Sequence, residues 1–165
     1  MSLSSGQKEA LRKKSLGELG ELFAIKALVD RSFERVVNLN DKKMNYPFAD
    51  LYAEKENKKY IISIKARNKF QKNNTLNSRY NLGSNAYKHA ELAEKEYGAE
   101  AHWMAVQFDE QTYSIYFGSL KELNQSNGIP VRQCELGAVG SCLEKDKRHY
   151  FDFGFFGNIK NEKST

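Results

Sequence analysis

The hydrophobic positions of this chain change their period several times, and each change marks an element. Apolar side chains recur at helical spacing between residues 16 and 30, with Ser15 placed as an N-cap and Glu18 three residues on, so a helix is predicted over 16–30. Residues 33–39, rich in β-branched side chains, predict a strand, 40–46 a polar turn, and 48–52 a second strand that carries Asp50. A charged break over 54–59 leads into Tyr60-Ile61-Ile62-Ser63-Ile64-Lys65. Alternation there puts Ser63 and Lys65 on one face and Tyr60, Ile62, Ile64 and Ala66 on the other, where they are expected to supply core. After a loop over 68–81, a second helix over 84–97 is closed by Gly98, and a strand pair follows over 101–108 and 112–117. The order is helix, three strands, helix, two strands.

The flanks are less periodic. Residues 1–15 are polar and basic and are expected to form a flexible lead-in to a single domain over 16–160, in which 118–160 is a C-terminal extension. Within that extension, 119–125 suggests a short helix and 127–130 a turn, while the glycines of 137–140 fit no class. The aromatic run over 150–156 reads as an edge strand covering the core or as an oligomer contact. A chain of 165 residues with 40% hydrophobic content suits one core. No apolar run approaches the roughly 20 residues that span a bilayer, and the N-terminus lacks a signal-type apolar stretch. The expectation is a cytoplasmic protein with no membrane partner, in which Cys134 and Cys142 are reduced thiols whose spacing matches no common zinc site. Neither a Ser-His-Asp or Cys-His arrangement nor a phosphate-binding glycine motif occurs, which argues against nucleophilic hydrolases and nucleotide-cofactor enzymes.

Charge changes the picture more than composition does. The net charge is only +5, yet from Asn57 to Ala90 there is no Asp or Glu, and the eight Lys and Arg of that stretch leave the rest of the chain net negative. Interleaved with asparagines and with Phe70 and Tyr80, the cations offer phosphate contacts and stacking surfaces, with Arg67, Lys69, Lys72, Arg79 and Lys88 as the nucleic-acid-binding candidates. A solvated loop is the plainer reading of the same segment.

The first helix adds a carboxylate in an unusual place. Projected at 100° per residue, Glu21 is surrounded by Gly17, Ala24, Ile25 and Leu28, with Lys26 on another face. A carboxylate among small and apolar neighbours has to be paired, hydrogen-bonded, protonated or bound to a cation.

Taken in order, Gly20-Glu21-Leu22-Phe23-Ala24, Asp50 and Ser63-Ile64-Lys65 resemble the PD-(D/E)xK nuclease superfamily over residues 16–117. The resemblance implies an α/β fold with a restriction-endonuclease-like core of helix, three strands, helix and strand on a mixed central sheet. It further implies a Mg²⁺-dependent DNA endonuclease, with Mn²⁺ as a substitute ion, DNA as partner, and assembly of many members as homodimers. Asp50 would bind metal, Lys65 would be the catalytic lysine, and Glu21 would match the helix glutamate that many members use as a further ligand. One position departs from the pattern, because Ser63 stands where Glu or Asp is usual. Glu91 on the second helix, with Glu94 as second choice, is the candidate to fill that vacancy. Otherwise Asp50, Glu21, the Ile64 carbonyl and water would hold one Mg²⁺. The rival implication is a catalytically inactive nuclease-fold domain that binds nucleic acid as an accessory protein.

Overall fold

In the computed structural model, residues 2–41, 47–77, 80–129, 131 and the backbone of 153–158 are described. The chain runs α1 (Ser5–Asp30), β1 (Glu34–Asn38), a 3₁₀ turn (Leu39–Asp41), β2 (Leu51–Lys55), β3 (Lys58–Asn68), α2 (Ala86–Tyr97), β4 (Glu100–Phe108), β5 (Thr112–Ser119), a second 3₁₀ turn (Lys121–Leu123) and β6 (Phe153–Asn158). The strands form one six-stranded sheet in sequence order. Only β3 and β4 are parallel; the other neighbours are antiparallel, which makes this a mixed α/β fold with the expected order of elements. The parallel pair is the one joined through α2, as a parallel connection requires.

Both faces of the sheet are covered, which corrects the expectation that the Tyr60, Ile62, Ile64 and Ala66 face of β3 alone supplies core. On one face α1 buries Ala24, Ala27 and Leu28 against Ile62, Ile64, Met104 and Val106. On the other, α2 buries Ala90 and Ala93 against Ile61, Trp103 and Tyr116. Ser63 belongs to this second layer and is 3% exposed. A central strand buried on both sides reads as a near-continuous apolar run, and the tail of the run from Lys65 onward is where the cover ends.

Three element boundaries differ from expectation for local reasons. The first helix starts at Ser5, capped by Ser4 in a reciprocal capping box with Gln7, so Ser15 is a mid-helix residue and not a cap, and most of the expected lead-in is helical. Residues 7–14 are Gln, Lys, Glu, Ala, Leu and Arg, all strong helix formers, and Arg12 pairs with Glu9 at 2.6 Å. The charged break over 54–59 shrinks to a two-residue hairpin, because Glu56 and Asn57 both take positive φ (51° and 66°), and pairing continues to Lys55↔Lys58. Asp50 precedes β2 rather than lying inside it. Of the two readings of the aromatic tail, the strand is seen: β6 pairs with β5 at the sheet edge. Cys134, Cys142 and the glycines of 137–140 lie outside the described residues. Among the described residues, no helix is long and apolar enough to cross a membrane.

Candidate metal centre and nucleic-acid groove

Asp50 sits where β2 and β3 part. Its N–H donates to the Ile62 carbonyl (2.8 Å), its own carbonyl accepts from Leu39 (2.9 Å), and its Oδ2 accepts the Ile64 N–H at 2.7 Å. Pairing of β2 with β3 ends at Leu51↔Ile62, so the carboxylate takes the Ile64 N–H that no strand partner reaches. Since N–H and C=O of one strand residue point to the same side, the Ile64 carbonyl faces this gap as well.

Glu21 arrives from α1, and the residue before it explains how. A Cβ added at Gly20 would lie 2.4 Å from the Ala66 Cβ, so only glycine lets the helix settle this closely on β3. Glu21 is half-buried as a result, and its oxygens accept from Asn38 Nδ2 (3.2 Å) and Asn40 Nδ2 (2.9 Å). The same Asn40 nitrogen donates to Asp50 Oδ1 at 3.2 Å. Carboxylates from two separate elements therefore share one amide, at a separation no larger than those two contacts laid end to end.

Both carboxyls of the pair are shifted. Burial pushes the Glu21 carboxyl above its ordinary range, partly opposed by the Asn38 and Asn40 amides and reinforced by the negative charges of Asp50 and Asp41. Burial pushes Asp50 up as well, against the Ile64 N–H, the Asn40 amide and the positive charge of Lys65. Lys65 is thus close enough to act on Asp50 through its field. Burial remains the main cause at both carboxyls. The donors are all oxygen, with neither thiolate nor imidazole, the hard set that suits Mg²⁺, which is commonly held by one or two carboxylates plus water and phosphate. Among the described residues, no group of three or more His, Cys, Asp or Glu gathers at one point.

From Ile64, whose N–H bonds Asp50, opens a groove of about 1080 Å³. Its floor is Ile64 to Asn68, carrying Lys65 and Arg67. One wall is the N-terminal half of α1 with Arg12 and Lys13, and the other is the turn after β3 with Phe70, Lys72 and Asn73. Arg67 is oriented by its Nη1 donating to the Ala66 carbonyl (2.7 Å), Lys69 lies over the Phe70 ring, and Lys72 reaches Glu9 on the opposite wall at 3.8 Å.

The sequence-predicted residues therefore divide. Glu21, Asp50, Ile64 and Lys65 come together, and Arg67, Lys69 and Lys72 lie along the adjoining groove or its rim. Ser63 is buried under α2 and brings no charge. Glu91 does not join the site: it is exposed on α2, pairs with Lys95 at 3.3 Å, and lines a separate groove together with Lys88. Glu94 accepts the Ala101 N–H at 3.1 Å. Arg79 lies outside the described residues. Sequence reasoning missed Asn38, Asn40, Arg12 and Lys13. The signal for the asparagines was their i, i+2 spacing around the buried Leu39 at a strand end, a position where Asx side chains commonly bond the backbone.

No protein-family model matches the chain, and no curated protein matches it either. Among solved structures, it is similar to that of Hjc, a Holliday junction resolvase from the archaeal hyperthermophile Archaeoglobus fulgidus. That likeness has 15% sequence identity and a TM-score of 0.49 and covers 67% of this chain and 83% of the other.

Proposed function

We propose that this chain is a PD-(D/E)xK-type, Mg²⁺-dependent endonuclease that hydrolyses phosphodiester bonds in DNA. One observation carries the reading: half-buried Glu21 and Asp50, from two elements, converge on one amide, and Asp50 is tied to Ile64 and feels the charge of Lys65, two residues that also line a groove with Arg12, Lys13, Arg67 and Lys72. A bound Mg²⁺ would supply charge neutralisation at the phosphate and a more acidic water. Glu21 and Asp50 would hold it, with the Ile64 carbonyl as a third oxygen facing the same gap. Lys65 places a compact ammonium where negative charge develops on the phosphate, and Arg67, Arg12 and Lys13 orient the backbone of the strand in the groove.

Burial of Ser63 favours the second reading, a nuclease-fold domain that binds DNA without cutting it, because the second carboxylate of the motif is absent and Glu91 is elsewhere. Supercoiled, linear and branched DNA incubated with Mg²⁺ or Mn²⁺ separates the two. Cleavage by the wild type, lost in Asp50→Ala, supports the nuclease. Salt-sensitive binding with no cleavage of any substrate supports the accessory domain.

A further inference from the structure

The nuclease reading, on which this inference rests, leaves the centre one oxygen ligand poorer than its motif. The side chain that stands between the two carboxylates is not Ser63 but Asn40, whose Nδ2 is 2.9 Å from Glu21 Oε1 and 3.2 Å from Asp50 Oδ1. It is held there from its own side. The Asn40 N–H donates to Asn38 Oδ1 (2.9 Å), Asn38 Nδ2 donates to Glu21 Oε2 (3.2 Å), and the intervening Leu39 N–H donates to the Asp50 carbonyl (2.9 Å). Leu39 is itself core, so the short 3₁₀ turn is fastened to both α1 and the start of β2.

A side-chain amide offers a donor and an acceptor at two nearly isosteric atoms on one carbon. In the structure the donor end answers the two carboxylates. A half-turn about the Cβ–Cγ bond puts Oδ1 where Nδ2 was, and the same position then carries an acceptor. Charge favours an amide over a third acid: two carboxylates already balance a divalent ion, and a neutral ligand adds an oxygen without excess negative charge in a half-buried site.

We propose that Asn40 is a switching ligand of the metal centre, bridging Glu21 and Asp50 through Nδ2 as the structure shows and turning Oδ1 to a bound cation as a neutral further ligand. Calorimetric titration of the DNA-free protein with Mn²⁺ tests it. Asn40→Ala is expected to bind Mn²⁺ some 10–100-fold more weakly than wild type, the range typical when a group orienting or completing a metal site is removed. Asn40→Asp, which keeps an oxygen at that position at the cost of excess negative charge, is expected to bind more tightly than Asn40→Ala. If Asn40→Ala binds as well as wild type or better, the amide merely competes with the ion and the ligand role is overturned. Asn40→Asp binding no better than Asn40→Ala overturns it too.

A readout on the wild-type protein needs no folded variant. Adding Mg²⁺ to ¹⁵N-labelled protein is expected to shift the Asn40 side-chain amide pair more than the Asn38 pair, which bonds Glu21 alone, and an unmoved Asn40 pair refutes the switch. Failure of the underlying reading looks different: wild type that binds no Mn²⁺ removes the metal centre altogether. Binding lost in Asp50→Asn but kept in Asn40→Ala removes the role of Asn40 alone.

Discussion

Gly20→Ala tests how the fold delivers Glu21. The added methyl would lie 2.4 Å from the Ala66 Cβ, whereas carbon atoms in contact sit about 3.5–4.0 Å apart, so α1 and β3 must separate by roughly 1 Å or more. Overpacking of that kind costs about 1–3 kcal/mol. Replacing glycine in a helix interior returns about 0.8–1.0 kcal/mol of propensity, which leaves a net loss of about 0–2 kcal/mol. Gly17, one turn earlier, has nothing within 4 Å of its own added Cβ, so Gly17→Ala keeps the propensity gain without the clash. Thermal unfolding of the two variants should therefore move in opposite directions or clearly diverge, with each kcal/mol worth about 2–4 °C at this chain length. Cation affinity supplies the functional half. A helix lifted by about 1 Å carries Glu21 away from Asn40 and Asp50, and misplacement on that scale costs up to about 100-fold in a catalytic step. Should Gly20→Ala be as stable as Gly17→Ala and bind Mn²⁺ like wild type, the close approach of α1 to β3 does not set the site.

Three further expectations follow from the site's electrostatics and contacts. Because burial raises both carboxyls, the folded protein holds more protons than the unfolded chain, so their contribution to stability is best below the ordinary carboxylate values of about 4 and declines as pH rises through them and then through the raised folded values. Melting curves in chelator from pH 4 to 8 should show Glu21→Gln more stable than wild type near neutrality with the advantage shrinking toward acid; an advantage that grows toward acid contradicts the burial. Asp50→Asn keeps an oxygen for the Ile64 N–H, whereas Asp50→Ala leaves that donor unanswered, so Ala should unfold more easily than Asn by about 1–3 kcal/mol in denaturant titrations. Arg12→Ala and Lys13→Ala, on the groove wall, should each lower the slope of log binding constant against log salt by about 0.9 for duplex DNA, and unchanged slopes would exclude α1 from the DNA path.

The elements with strong periodicity were legible in the residues: both helices, the central strands and the Gly98 cap come from apolar spacing and backbone chemistry, which are local. Asp50, Glu21 and Lys65 were singled out together because their order resembles a known motif, and of these Asp50 and Glu21 share the Asn40 amide. What escaped depended on contacts distant in sequence. Ser63 was legible only as a motif position, its burial depending on what packs on its face of β3, and Glu91 looked available because a helix position does not reveal which groove it borders. Asn38 and Asn40 lie 17 and 19 residues from Glu21 and gain meaning only when α1 docks. The early start of α1 escaped for another reason: its first turns are mostly polar or charged, with Ala10 and Leu11 the apolar exceptions, so no apolar period announced them.

The most direct test is a single cleavage assay. Wild type and Asp50→Asn, matched for folding by circular dichroism, are incubated with supercoiled and branched DNA in Mg²⁺ and in chelator. The expected result is strand breakage by the wild type in Mg²⁺ alone, reduced on the order of 10²–10³-fold or more in Asp50→Asn. Breakage that persists in chelator, or that Asp50→Asn performs as fast as wild type, would contradict a metal-dependent centre at Glu21 and Asp50.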